Sequence, residues 1–82
     1  MYKSVRGWTT VSDTSVRVYA RNELAKKMNR LVIDMSNEEF QDAFKRLERG
    51  TYIQDAFPSL LPSERQYLKT GLTPAEQKEL GI

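Results

Sequence analysis

Few residues in this chain could do acid–base or metal chemistry. There is no histidine and no cysteine, so the commonest zinc ligand, the usual base for a serine or cysteine nucleophile and any thiolate site are absent. Two pairs of carboxylates are candidates for acid–base chemistry, Glu38 with Glu39 and Asp34 with Asp42. Their setting is typical of a helix start and a solvated face, where acids stabilise the positive end of the helix dipole. We therefore expect no enzyme, no metal and no cofactor.

Basic side chains are concentrated in the first part of the chain. Residues 1–30 hold seven basic and two acidic residues, a net charge of +5, whereas residues 31–82 hold six basic and nine acidic residues, a net charge of −3. A basic helix face with a nearby aromatic arm is one way to bind nucleic acid. The candidate nucleic-acid-binding residues are Arg17, Arg21, Lys27, Arg30 and Trp8, with Tyr2 close to Trp8 in sequence. The two aromatic residues could instead pack on the core, which is the commoner place for such side chains. Against this hypothesis, the acidic second half would repel phosphate.

The densest apolar cluster near predicted loops lies around Pro58 and Pro62. Such a cluster can bind a protein through a few aromatic anchors without any catalytic group. The residues predicted to bind a protein partner, with a host protein as one option, are Phe57, Leu60, Leu61 and Tyr67. The same side chains could instead belong to the core, or be covered by homo-oligomerisation, because a chain of 82 residues has only a thin core. Protein binding is the first predicted function and nucleic-acid binding is the alternative.

A helix is predicted to carry most of the basic residues. From Asp13 or Thr14 onwards, apolar residues recur at steps of four and three, which is typical of one face of a helix. The apolar positions are Val16, Ala20, Leu24, Met28, Leu31 and Met35, and "NELAKKMNR" is the central part of this helix. The flanking segments "SVRVY" and "LVIDM" are rich in β-branched residues and could instead pair as short strands. Residues 1–12 are predicted to form a strand or a flexible arm.

Helix-capping patterns are clearest in the second half of the chain. In "SNEEFQDAFKRLERG", Ser36 and Glu39 have the capping-box spacing that satisfies amides at a helix start, and Thr73 with Glu76 repeats that spacing. Proline fits the first turn of a helix, and glycine fits the position just after one. The residues in these places are Pro62, Pro74, Gly50, Gly71 and Gly81.

The predicted fold is a single small domain over residues 1–82 that is mainly α. It consists of two longer helices and two or three short proline-started helices, with room for a minor two-stranded β element from the N-terminal arm and "LVIDM". The longest apolar run, "LVI", is far below the roughly 20 residues that a membrane span needs. We expect no membrane association and a cytoplasmic location.

Residues 49–76, "RGTYIQDAFPSLLPSERQYLKTGLTPAE", resemble a pattern found in short uncharacterised proteins of microvirus-like small phages and prophages. The resemblance lies in the order of "IQDAFPSL", "SERQYL", "TG" and "TPAE" and covers about a third of the chain. Those proteins usually have a bulky aromatic residue after "TPAE", where this chain has Gln77 and Lys78. The resemblance implies a phage or mobile-element origin and expression inside a bacterial host cell, and it implies no functional residues.

Overall fold

A computed structural model describes residues 4–81, in which a three-stranded antiparallel sheet precedes four short helices. The strands are β1 (Val5–Ser12), β2 (Ser15–Asn22) and β3 (Lys27–Ile33), and β2 lies between the other two. The helices are α1 (Asn37–Glu48), α2 (Ile53–Ala56), α3 (Pro62–Thr70) and α4 (Pro74–Leu80). The fold is therefore a small α+β domain.

The mainly α prediction was wrong, since 29% of the structure is strand and 41% is helix. The long helix predicted after Asp13 or Thr14 is instead β2, a turn and β3, and these two residues form the turn between β1 and β2. The predicted two-stranded element was also incomplete. β1 and β3 do not pair with each other, and each pairs with β2 instead. The alternative in which "SVRVY" and "LVIDM" pair as strands is confirmed, since Val16 lies opposite Ile33 and Val18 opposite Leu31.

The segment "NELAKKMNR" contains the turn of the second hairpin. Asn22 ends β2, and its side-chain Oδ1 accepts hydrogen bonds from the backbone N–H groups of Leu24 (2.9 Å) and Ala25 (3.1 Å). Asparagine favours turns because it can bond its own following backbone in this way. Lys26 then has a φ of 53°, which ends the turn in the left-handed region. The chain reverses here, so no helix can continue from residue 16 to residue 35.

The helix starts predicted for the second half of the chain are confirmed. The Ser36 and Thr73 hydroxyls accept hydrogen bonds from the backbone N–H groups of Glu39 and Glu76, each at 3.2 Å, and both capping boxes are complete. Prolines occupy the first turns of α3 and α4, and glycines in the left-handed conformation follow both helices. No helix within residues 4–81 is long and apolar enough to cross a membrane.

The core lies between the helices and one face of the sheet, which we call the inner sheet face. Strand β2 alternates strictly, so every second side chain is buried, and the buried set is Val16, Val18, Ala20 and Asn22. Strand β3 adds the fully buried Ile33. The helical layer contributes large, fully buried side chains, which are Phe40, Leu47, Phe57, Tyr67 and Leu68. The Tyr67 hydroxyl donates to the backbone carbonyl of Val18 at 2.7 Å, which joins α3 to the middle strand.

Candidate functional site

Among residues 4–81, no helix or loop covers the face of the sheet opposite the helices, which we call the outer sheet face. Side chains alternate along a strand, so burial of Val16, Val18 and Ala20 on the inner face puts the intervening residues on the outer face. Residues directly opposite each other in an antiparallel pair lie on the same face. The register therefore gives this face Arg17, Tyr19 and Arg21 from β2, Met28, Arg30 and Val32 from β3, and Gly7 and Thr9 from β1.

Three arginines surround one tyrosine on the outer sheet face. Along β2, Arg17 lies two residues before Tyr19 and Arg21 two residues after it, so each of their Cα atoms is about 6.6 Å from the Cα of Tyr19. Across the ladder, Arg30 in β3 is the direct partner of Tyr19. Tyr19 is partly exposed and Arg30 is exposed. The register thus places three arginine residues next to a partly exposed tyrosine.

Apolar and small residues fill the rest of this face. Met28 and Val32 are the partners of Arg21 and Arg17, and they are 51% and 45% exposed. On the other side of Tyr19, its partner in β1 is Gly7, and a Cβ added there would meet nothing within 4 Å. Gly7 therefore places no side chain beside Tyr19 on the β1 side.

Carboxylates are absent from all three strands. The nearest acidic partner to the arginine cluster is Glu23 in the β2–β3 turn, whose carboxylate lies 3.4 Å from both the Arg6 and the Arg21 guanidinium groups. Among residues 4–81, Arg17 and Arg30 have no carboxylate within 4.0 Å. Residues 4–33 carry six basic and two acidic residues, while residues 34–81 carry six basic and nine acidic residues. The sheet is the basic layer of the domain and the helices are its acidic layer.

Lys27 was predicted to bind nucleic acid, but the structure places it on the inner sheet face. Its Nζ lies 2.9 Å from the Glu76 carboxylate. Glu76 also accepts hydrogen bonds from the Asn29 side chain (2.6 Å) and from the backbone N–H of Thr73 (3.0 Å). The hydrogen bond from Lys27 is the main reason that the pKa of Glu76 falls to about 2, and the same bond raises the pKa of Lys27. The ion pair between Lys27 and Glu76 thus links β3 to α4.

Trp8 also lies on the inner sheet face, opposite Val18. Its ring packs edge-on against Phe40 with centroids 4.8 Å apart, and it contacts Phe44 at 5.3 Å. Its indole N–H donates to the Asn37 side chain at 3.0 Å. Trp8 is therefore part of the packing between β1 and α1 and cannot stack on a ligand at the outer sheet face. Tyr2, the other aromatic residue of the predicted arm, lies outside the described residues.

The four residues predicted to bind a protein do not form one surface. Phe57 and Tyr67 are fully buried and Leu60 is 6% exposed, whereas Leu61 is 63% exposed. Burial raises the pKa of Tyr67 to about 12, consistent with its hydroxyl being enclosed between α3 and β2. Three of the four side chains thus hold the helical layer on the sheet, and Leu61 alone remains accessible.

A shallow depression of about 420 Å³ lies on the sheet and is lined by Tyr19, Met28, Asn29 and Arg30. Sequence reasoning identified Arg17, Arg21 and Arg30 but missed Tyr19, because the segment was interpreted as a helix. The signal that could have found it is the period of two in "SVRVYARN", where apolar and basic or aromatic residues alternate. Within residues 4–81, no group of three or more acidic residues is arranged to hold a metal ion.

No family model, curated protein or solved structure matches this chain. The resemblance of residues 49–76 to proteins of small phages stays a prediction.

Proposed function

We propose that this chain is a non-enzymatic nucleic-acid-binding protein that contacts phosphate groups with its outer sheet face. The observation that carries the proposal is the placement of Arg17, Arg21 and Arg30 around Tyr19 on an uncovered face whose strands contain no carboxylate. Guanidinium groups bind phosphates with charge-assisted hydrogen bonds, and each phosphate neutralised releases condensed counterions.

The layered charge of the domain removes the main objection raised by the sequence. The acidic second half of the chain forms the helices, and these cover the inner sheet face. A polyanion on the outer sheet face is therefore separated from most of the carboxylates by the thickness of the sheet. Screening weakens interactions beyond about 8–10 Å at physiological ionic strength, which favours the nearby arginines over the distant acids.

Protein binding through Phe57, Leu60, Leu61 and Tyr67 has less support. Three of these side chains are in the core, and a single exposed leucine is ordinary on a protein surface. The resemblance to proteins of small phages supports the further proposal that the protein acts in the cytoplasm of a bacterial host cell.

The test is a salt titration of binding to fluorescein-labelled oligonucleotides, followed by fluorescence anisotropy between about 50 and 200 mM salt. The test variant combines Arg17→Gln, Arg21→Gln and Arg30→Gln. Each phosphate contact contributes about 0.7 to 0.9 to the slope of log affinity against log salt, so the variant should lose a slope of about 2 to 3.

The matched control combines Lys45→Gln, Lys69→Gln and Lys78→Gln, three exposed residues of the helical layer. Both triple variants change the net charge from +2 to −1. The control should keep most of the wild-type slope. Equal losses in the two variants would mean that net charge alone attracts the nucleic acid, and a wild type without salt-dependent binding would rule out the proposal.

A further inference from the structure

We infer that the nucleic acid is single-stranded and that one of its bases stacks on Tyr19. This inference rests on the function proposed above and identifies the form of nucleic acid that the outer sheet face selects. DNA and RNA share the chemistry involved, which is a phosphate backbone with unpaired bases.

The surroundings of Tyr19 leave room for a flat ring. Gly7, its partner in β1, has no side chain, and the space where one would project is empty to 4 Å. On the β3 side of Tyr19 lies the depression of about 420 Å³, which is lined by Tyr19, Met28, Asn29 and Arg30. A nucleobase can therefore lie beside Tyr19 without displacing protein atoms.

The neighbours of Tyr19 can contact both the base and the phosphates of a nucleotide. Met28 is 51% exposed and gives the depression an apolar, polarisable wall for a base. Arg17 and Arg21 flank the ring along β2 and can hold the phosphates on either side of the stacked base. A basic surface that follows the backbone, combined with an aromatic ring that receives a base, is the general means of binding single strands.

A duplex does not fit this surface as well. Bases in a duplex are already stacked and paired, so Tyr19 could reach only their edges. The major groove, in which those edges are most distinct, is about 12 Å wide and admits a helix or a two-stranded ribbon. The outer sheet face is instead three strands broad, with its aromatic residue in the middle strand and arginines around it. Only unpaired bases can turn towards such a ring.

The experiment compares three fluorescein-labelled probes of about 12 nucleotides by anisotropy at low salt: oligothymidylate, an abasic strand with the same phosphates, and a duplex. Oligouridylate is added to compare RNA with DNA. The variants are Tyr19→Val, which keeps a good strand former but removes the ring, and Tyr19→Phe, which keeps the ring. Tyr52→Val is the control, because Tyr52 is 75% exposed and precedes α2 in the helical layer.

The wild type should bind oligothymidylate roughly 5 to 150 times more tightly than the abasic strand, the factor expected for one stacked base. Tyr19→Val should lose that factor on oligothymidylate and keep the wild-type affinity for the abasic strand. Tyr19→Phe and Tyr52→Val should behave like the wild type. Far-UV circular dichroism of each variant shows that the fold is kept. If Tyr19→Val unfolds, the comparison of the two single strands by the wild type decides the question.

Two outcomes would overturn the inference and leave the proposed function standing. One is equal wild-type affinity for the oligothymidylate and abasic strands while the triple arginine variant still weakens both. The other is tighter binding of the duplex than of the single strand. If the wild type binds none of the probes, the proposed function fails together with this inference.

Discussion

Replacing Gly71 by alanine should destabilise the domain strongly, because the loop between α3 and α4 touches the middle strand at this residue. Gly71 has a φ of 78°, in the left-handed region that favours glycine. A Cβ at this position would overlap the backbone carbonyl of Arg21 and come within 3.0 Å of the backbone nitrogen of Asn22. Since these atoms belong to the sheet backbone, they cannot move aside as a side chain could.

The expected loss for Gly71→Ala has two parts. The left-handed conformation costs about 1–2 kcal/mol for a residue with a Cβ. Overpacking of a close contact typically costs a further 1–3 kcal/mol or so. The sum of about 2–5 kcal/mol is large beside the total stability of about 4–12 kcal/mol that a domain of this size is expected to have.

Gly81→Ala is the matched control. Gly81 follows α4 in the same left-handed conformation, with a φ of 74°, but a Cβ there would meet nothing within 4 Å. The control should therefore lose only the conformational part, about 1–2 kcal/mol. The difference between the two variants isolates the contact with β2.

Urea denaturation followed by far-UV circular dichroism measures both free energies, and equal m-values show that the same surface is exposed on unfolding. The free energies of unfolding of the two variants should differ by about 1–3 kcal/mol. For a domain of this size, each kcal/mol corresponds to a shift of about 4–8 °C in melting temperature. Similar losses for Gly71→Ala and Gly81→Ala would mean that the loop does not lie against Arg21.

Two further predictions concern the helical layer. The pKa of Glu76 is lowered from 4.5 to about 2 in the folded protein, so its charged form contributes stability above pH 4.5 that is lost as the pH falls towards 2. Urea midpoints measured from pH 6 to pH 2 should therefore decline less for Glu76→Gln than for the wild type, and parallel declines would contradict this. Leu60→Ala should cost about 2–5 kcal/mol, since Leu60 is 6% exposed, whereas Leu61→Ala should cost less than about 0.5 kcal/mol, since Leu61 is 63% exposed. Equal losses in urea denaturation would show that Leu61 is buried by a contact such as a second copy of the chain.

The helices after residue 35 could be predicted because their signals are local. A capping box satisfies amides within one turn, so Ser36 with Glu39 and Thr73 with Glu76 specify helix starts without reference to the rest of the chain. Proline at the first turn of α3 and α4 and glycine after each helix act over the same short range. These helix-start and helix-end signals therefore do not depend on tertiary contacts.

The helix from Asp13 or Thr14 was preferred to the alternative strand pair, and this choice was wrong, because a step of four residues fits both a helix and a strand. Val16 and Ala20 are one helical turn apart, but four is an even number, so they also lie on one face of a strand. Val18, between them, decides the question, because it is buried on the same face. The helical interpretation then continued through Leu24, which is 76% exposed at the turn that Asn22 forms.

The same parity explains which of the predicted residues lie on one face. Arg17 and Arg21 share a face in either interpretation, since they too are four residues apart. Arg30 joins them only through the hairpin register, which pairs it with Tyr19. Lys27 and Trp8 fall on the inner face because of their register opposite Asn22 and Val18. The residue types in the sequence do not show which of these residues lie on the outer face and which on the inner face.

An uncovered face is ordinary for an antiparallel sheet, so openness by itself says little about function. The sign of the charges is more informative. Soluble surfaces normally intersperse both signs, whereas Arg17, Arg21 and Arg30 lie together with one acidic neighbour, Glu23, at the turn. Glu23 is 63% exposed at its side chain, and an exposed ion pair of this kind contributes about 0–1 kcal/mol.

Clustered like charges repel one another, and functional sites often keep groups that lower stability. Removing the three arginines should therefore leave the domain about as stable as the wild type, or slightly more stable, because the repulsion among them is relieved while only the weak contact of Arg21 with Glu23 is lost. Loss of nucleic-acid binding by that variant can then be attributed to the missing guanidinium groups. A large fall in its urea midpoint would instead indicate that the arginine stems serve to cover the apolar side chains of Met28 and Val32, and that the cluster is structural.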